Sequence, residues 1–281
     1  MILHGKDVAE SIYKELAQKI QALTTPPTLV AVLVGNNPAS LRYIEQKKRF
    51  SEKVGIRFIL KHFSEDISED ELLKTIKDLN HDTTVSWYIV QLPLPAHINA
   101  QTIIFSFSPE KDVDGFHPIN QGKVLLWDMS GHIPCTPKWI LKILEYYHIS
   151  LAGKKVVVLW RSNIVGKPIT ALCINAGATV TSCNSLTPDS SIHTKQADII
   201  ITAIWKAHFL KAWDVLPHAI LIDVGFSLIE NHIYGDIDID DCIKQGNSYT
   251  PVPWGVGPMT VAMLLQNTFT AHIHSLWNEK I

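Results

Sequence analysis

Apolar runs of five to seven residues alternate with longer amphipathic segments along this chain, and that alternation restricts it to parallel sheets covered by helices. Two such sets are present. The first is a helix at Lys6–Leu23, a strand at Leu29–Val34, a helix from Pro38, a strand at Arg57–His62, a helix near Glu69–Leu79 and a strand at Trp87–Leu92. Asn37 before Pro38 marks a helix start, a side-chain cap followed by a proline whose missing N–H costs nothing there. The second set is a helix at Pro137–Tyr147, a strand at Lys155–Leu159, a helix from Gly166, and strands at Thr179–Cys183, Asp198–Ala203 and Ala219–Val224. Its successive strand–helix units predict a Rossmann-like dinucleotide domain. A last apolar helix, from about Gly257 to Ser275, is expected to return to the first domain. The fold class is therefore α/β, two α/β domains flanking a cleft, with residues 1–120 plus 264–281 in the first and 121–263 in the second.

A chain of 281 residues is long enough for two such cores. With 25 basic against 27 acidic residues it has no basic face for nucleic acid, and Lys47, Lys48 and Arg49 alone read as a solvated helix face. No apolar run reaches the roughly 20 residues of a membrane helix, and the amino terminus has no signal-peptide pattern, so the expected compartment is the cytoplasm. Cys135, Cys173, Cys183 and Cys242 lie far apart without metal-type spacing. No metal and no disulfide are expected.

Tyr43 and Lys47 are four residues apart and share a helix face. They could hold an aromatic ligand beside a proton-exchanging amine, although spacing alone favours a half-buried tyrosine with a surface lysine. Gln91 ends an apolar strand and runs into Pro93 and Pro95, a turn that would present its amide at the carboxyl edge of the sheet, the usual ligand side. Asp112 and Asp114 occupy KDVDGFHP, which by itself reads as a capped surface turn at Gly115. RSNIVGKP by itself is a turn into a helix.

Read in order, VGNNPASLRYIEQKKRFSEKVGI, YIVQLPLP, PEKDVDGFHPIN, PCTPK, RSNIVGKP, LIDVG and TPVPWGVGPMT closely resemble the bifunctional methylenetetrahydrofolate dehydrogenase/methenyltetrahydrofolate cyclohydrolase family, from Val34 to Asn267. The resemblance implies oxidation of 5,10-methylenetetrahydrofolate with NADP and hydrolysis of the resulting methenyl cation to 10-formyltetrahydrofolate, in one-carbon metabolism and purine biosynthesis. By the same likeness Lys47 is the principal residue of hydrolysis, since an amine beside a cation gives up its proton more readily and can exchange it with the attacking water. Gln91 would orient Lys47, Tyr43 would stack on the folate and Asp114 would accept hydrogen bonds from the pterin. Leu92, Pro93, Pro253 and Gly257 would complete the folate site. Trp160, Arg161, Ser162, Gly166, Ser185 and Phe226 match cofactor positions; Arg161 and Ser162 suit the 2′-phosphate of NADP, and Gly166 suits phosphate at a helix start. Partners implied are tetrahydrofolate derivatives and a second copy in a homodimer, with no nucleic acid and no membrane.

Six tryptophans depart from the family pattern, in which Trp87, Trp127, Trp139, Trp160, Trp205 and Trp254 replace glycines; Trp213 and Trp277 do not. A real indole at Trp160 implies poor NADP binding, leaving a cyclohydrolase alone or a silent folate-binding protein. Six substitutions of one type fit a source organism that reads UGA as glycine. The chain has 14 glycines in 281 residues, and six more would raise it to the roughly 7% of ordinary proteins.

Overall fold

The computed structural model describes residues 1–230, 232–253, 255 and 257–278. The elements run α1 (Gly5–Gln21), β1 (Thr28–Val34), α2 (Pro38–Val54), β2 (Arg57–Phe63), α3 (Glu69–His81), β3 (Trp87–Val90), α4 (Ala100–Phe105), α5 (Pro118–Leu125) and α6 (Cys135–Tyr146). There follow β4 (Lys155–Leu159), α7 (Gly166–Asn175), β5 (Thr179–Cys183), α8 (Ser191–Thr194), β6 (Ile199–Thr202), β7 (Ile220–Asp223), β8 (Ser227–Ile229), β9 (His232–Tyr234), α9 (Ile239–Cys242), β10 (Ser248–Tyr249) and α10 (Gly257–Asn278). The chain divides into two compact units: residues 1–10, 124–127 and 136–260 form one, and residues 11–123, 128–135 and 261–281 the other.

The unit containing β1 is built on a three-stranded parallel sheet of order β2-β1-β3. Every residue of β1 is buried, as a central strand covered on both faces requires. Its core joins Val30, Val32 and Val34 to Leu72, Ile76 and Leu79 of α3 and Tyr88 of β3. Asn37 caps α2 as expected, its side-chain oxygen accepting from Ala39 N at 2.9 Å and Ser40 N at 3.2 Å. Ser68 and Glu71 form a reciprocal capping box at the start of α3. The Asn37 cap fixes where α2 begins, and therefore the height at which Lys47, more than two turns further on, stands.

The other unit carries a five-stranded parallel sheet of order β10-β7-β6-β4-β5. Chain order reverses beside β4, with β5 on one side and β6 on the other. In open parallel sheets a ligand sits outside the carboxyl ends of the strands at that reversal. The segments leaving those ends are 160–165 after β4, 184–186 after β5, 203–206 after β6 and 224–226 after β7.

Most expected elements are present with ends shifted by one or two residues. The strand expected to reach Leu92 stops at Val90, although Gln91 N still donates to Val32 O at 2.9 Å. The short helices α4 and α5, the β8–β9 hairpin and β10 were not foreseen. All four cysteines are free and buried.

Candidate active site

Gln91 follows β3 directly, and its amide is fixed at both ends. Oε1 accepts from Lys47 Nζ at 2.9 Å, and Nε2 donates to Leu92 O at 2.7 Å. An amide held this way cannot flip, so it presents an acceptor, not a donor, to the lysine. Lys47 is half-buried and uses one of its three donors here, while Tyr43, one turn back on α2, is 43% exposed. The arrangement is the reverse of the plainer expectation: the ring faces solvent and the amine is withdrawn. Leu92 and Pro93 follow at once, joined by a cis peptide bond.

Asp114 stands within the electrostatic reach of Lys47. Burial pushes its carboxyl above the usual aspartate range, opposed by the Lys47 charge and by the Cys135 thiol, which donates to Oδ1 at 3.6 Å. The neighbouring Asp112 is not a surface turn residue. It is 1% exposed and accepts from Gly115 N at 3.1 Å, His117 N at 2.7 Å and Asn120 Nδ2 at 3.0 Å. Asn267 of α10 donates to Val113 O at 2.8 Å and Ile133 O at 3.0 Å, clamping the residue between the two aspartates. Asp112, Asn120 and Asn267 thus aim Asp114. The sequence offered for them only an Asp and an Asn eight residues apart.

Lys47, Gln91 and Asp114 therefore converge in one unit, with Tyr43 beside Lys47 on α2 and Leu92 and Pro93 next along the chain from Gln91. Pro253 is exposed and follows a second cis bond, Val252–Pro253, and Gly257 opens α10; both belong to the other unit.

In that unit the segment after β4 folds back upon itself. A Cβ on Gly166 would overlap the carbonyl oxygen of residue 160 and lie 2.8 Å from Arg161 Cα, so only glycine closes this turn. The Ser162 hydroxyl accepts from Val165 N at 3.2 Å and Gly166 N at 3.4 Å, leaving its own proton to donate outward. Arg161 is exposed beside it, and Ser185 is exposed in the turn after β5. Phe226 meets Trp205 edge-on, ring centres 6.5 Å apart.

Beneath these segments lie two buried carboxylates that the sequence reading missed. Asp223 accepts from Thr202 Oγ1 at 3.2 Å, Gly225 N at 2.9 Å, Asp236 N at 3.1 Å and Ile237 N at 2.9 Å. Asp236 accepts from Ile204 N at 2.6 Å and Lys206 N at 2.8 Å, pinning the segment after β6. A Cβ on Gly225 would overlap the Asp236 carboxylate, and one on Gly235 the Asp223 carboxylate, so each glycine makes room for the other strand's acid.

Burial, followed by the Asp236 charge, pushes the Asp223 carboxyl up to about 7. Burial raises Asp236 as well. The folded protein therefore holds a proton that the unfolded chain has lost above about pH 4, the ordinary aspartate value. Stability from this source is complete below that pH and is lost as pH rises through about 7. A melting midpoint that falls from about pH 4 to about pH 7, with a flatter slope in Asp236→Asn, is the expected result. Parallel slopes in the two proteins would exclude the pair as the cause.

A parallel sheet with a phosphate-type turn at its reversal point, together with a lysine–glutamine–aspartate group in a second α/β unit, defines a dinucleotide-dependent enzyme with a separate proton-handling site. Two family models match. Residues 3–114 match the tetrahydrofolate dehydrogenase/cyclohydrolase catalytic domain, and residues 134–276 match the NAD(P)-binding domain of the same family. The chain is 46% identical over 271 residues to the bifunctional protein FolD of Bacillus licheniformis, covering 95% of each. It superposes on the bifunctional enzyme FolD of Campylobacter jejuni with a TM-score of 0.96 at 43% identity, covering 98% of this chain and 99% of the other. The Trypanosoma brucei methylenetetrahydrofolate dehydrogenase-cyclohydrolase, complexed with NADP cofactor and inhibitor, gives a TM-score of 0.93 at 30% identity over 98% of each chain. The protein belongs to the tetrahydrofolate dehydrogenase/cyclohydrolase family.

Proposed function

We propose that the protein oxidises 5,10-methylenetetrahydrofolate to the 5,10-methenyl cation with NADP and hydrolyses that cation to 10-formyltetrahydrofolate. The observation that carries this reading is the fixed Lys47–Gln91 pair beside Asp114, in a chain whose other unit bears the nucleotide turn. NADP, when bound, accepts the hydride. The residues that fit it are Arg161 and Ser162 for the 2′-phosphate, the backbone turn at Gly166, and Ser185 and Phe226 at the adjoining strand ends. The backbone suits a dinucleotide; the indoles at Trp160 and Trp205 are where the side chains do not.

Lys47 exchanges a proton with the water that attacks the methenyl carbon, and Gln91 keeps the amine facing it through the 2.9 Å hydrogen bond. Tyr43 supplies a ring face for the folate, and Asp114 accepts from the pterin amino group and ring nitrogen. Leu92 and Pro93 extend the folate contacts on the same unit. The unit carrying β1–β3 serves as the folate domain, and the unit carrying β4–β7 as the NADP domain. The working protein is a homodimer in the cytoplasm, its product feeding purine biosynthesis; a light-scattering mass of one chain would overturn the dimer.

The test is incubation of the purified protein with 5,10-methylenetetrahydrofolate and NADP, following NADPH and 10-formyltetrahydrofolate separately. Neither product forming would overturn the reading. Asp114→Asn, which swaps an acceptor for a donor facing the pterin, is expected to raise KM for folate about tenfold or more, since a charged hydrogen bond contributes about 1.5–3 kcal/mol. An unchanged folate KM would remove Asp114 from the site.

A further inference from the structure

We propose that the cell making this protein reads UGA as glycine, and that residues 87, 127, 139, 160, 205 and 254 of the native protein are glycine, while Trp213 and Trp277 remain tryptophan. The inference goes beyond the function above and is carried by backbone geometry. Only a few per cent of non-glycine residues adopt positive φ, chiefly Asn, Asp and His, and a bulky residue there is an outlier. The described non-glycine residues with positive φ are three histidines, Glu230, and Trp127 at 59°, Trp160 at 127° and Trp205 at 67°. At a few per cent per residue, three such tryptophans among the seven described would arise by chance on the order of once in a thousand chains.

Packing covers these indoles only in part, the edge-on contact of Trp205 with Phe226 included. Trp127 is 49% exposed, Trp160 36% and Trp205 56%. Strained backbone persists when its surroundings over-determine it, and exposed side chains supply no such surroundings. Trp213, exposed likewise, has ordinary φ and lies under the Lys211 ammonium at 5.1 Å.

Position 127 shows what the backbone requires. Trp127 N donates to Val124 O and Asp128 N to Lys123 O, the paired bonds that close a helix through a left-handed residue, most often glycine. The chain closes α2 with the same two bonds at Gly55 and α7 with the same two at Gly177. Positions 160 and 205 leave the carboxyl ends of β4 and β6, the strands on either side of the chain reversal, where a nucleotide must approach backbone closely.

Trp139 carries an independent sign. It is fully buried, its indole N–H has no hydrogen-bond partner, and its ring lies against the backbone at Gly5, 2.8 Å from where a Cβ would stand. Buried tryptophan N–H groups ordinarily find an acceptor. Position 87 is buried, and position 254 lies outside the described residues; both join the set through the motif pattern. UGA and UGG differ by one base, so a single reassignment accounts for all six and leaves every other residue type untouched.

The test reads the eight codons in the source gene and the masses of the corresponding peptides from the native protein. UGA at the six positions and UGG at 213 and 277, with each affected peptide lighter by the difference between an indolylmethyl group and a hydrogen, is expected. UGG at positions 127, 160 or 205, or tryptophan in the native peptides spanning them, overturns the inference. A second comparison sets the recombinant six-glycine chain against the chain carrying tryptophan. The glycine form should bind NADP at least about tenfold more tightly, as a strand end freed for close backbone approach requires; equal affinity overturns the functional part. Native glycine peptides with no NADP reduction by either recombinant chain would instead overturn the proposed activity and leave the codon reading intact.

Discussion

Lys47→Met should slow hydrolysis of the methenyl cation by about 10²–10⁴-fold, the usual contribution of a positioned proton-exchanging group, while oxidation of methylenetetrahydrofolate by NADP continues. Methionine keeps the apolar reach of the lysine stem and removes only the amine, so the Gln91 Oε1 acceptor loses its donor at 2.9 Å. Hydride transfer requires no proton from water. The methenyl intermediate should therefore accumulate, visible by its own absorbance as NADPH forms. Lys47→Arg separates charge from proton exchange, because guanidinium keeps the cation and does not give up a proton in proteins. If arginine restores hydrolysis, Lys47 acts by charge alone. Equal losses in both reactions would mean that the pair positions folate and does not transfer a proton.

How much of this site was legible in the sequence depends on the range of the interactions involved. The α2 face was readable because Asn37 and Pro38 announce where the helix starts and residues 43 and 47 follow by periodicity. β1 and β4 were readable because buried central strands are continuous apolar runs. The short helices α4 and α5 were not, since helices of six and eight residues carry too little periodic pattern. Asp112 looked like a surface turn because its satisfying partner, Asn120, is placed by the fold and not by a motif. The Asp223–Asp236 pair was hidden for the same reason, although one trace existed: each acid has a glycine close by, Gly225 and Gly235, and each glycine makes room for the opposite carboxylate. Lys47 and Tyr43 exchanged their expected burial because the amine is drawn to Gln91, which lies 44 residues further along the chain.

Gly166→Ala should have its largest effect on the cofactor reaction alone. The added methyl group would overlap the carbonyl oxygen of residue 160 and crowd Arg161 Cα at 2.8 Å, both backbone atoms that cannot rotate away. The turn must then open, loosening the bonds by which the Ser162 hydroxyl accepts from Val165 N and Gly166 N and displacing the backbone proposed to meet the cofactor phosphate. A displacement of roughly 1 Å in such positioning groups costs on the order of 10²-fold, so KM for NADP should rise by about that factor. Crowding of this kind also costs about 1–3 kcal/mol of stability, read as a lower melting midpoint. Hydrolysis of supplied methenyltetrahydrofolate should persist, because Lys47, Gln91 and Asp114 belong to the other compact unit. The overlap is with the main chain of residue 160, so the crowding does not depend on the side chain there, and the KM comparison is made on the chain with glycine at 160. A normal KM for NADP in folded Gly166→Ala protein would place the nucleotide elsewhere.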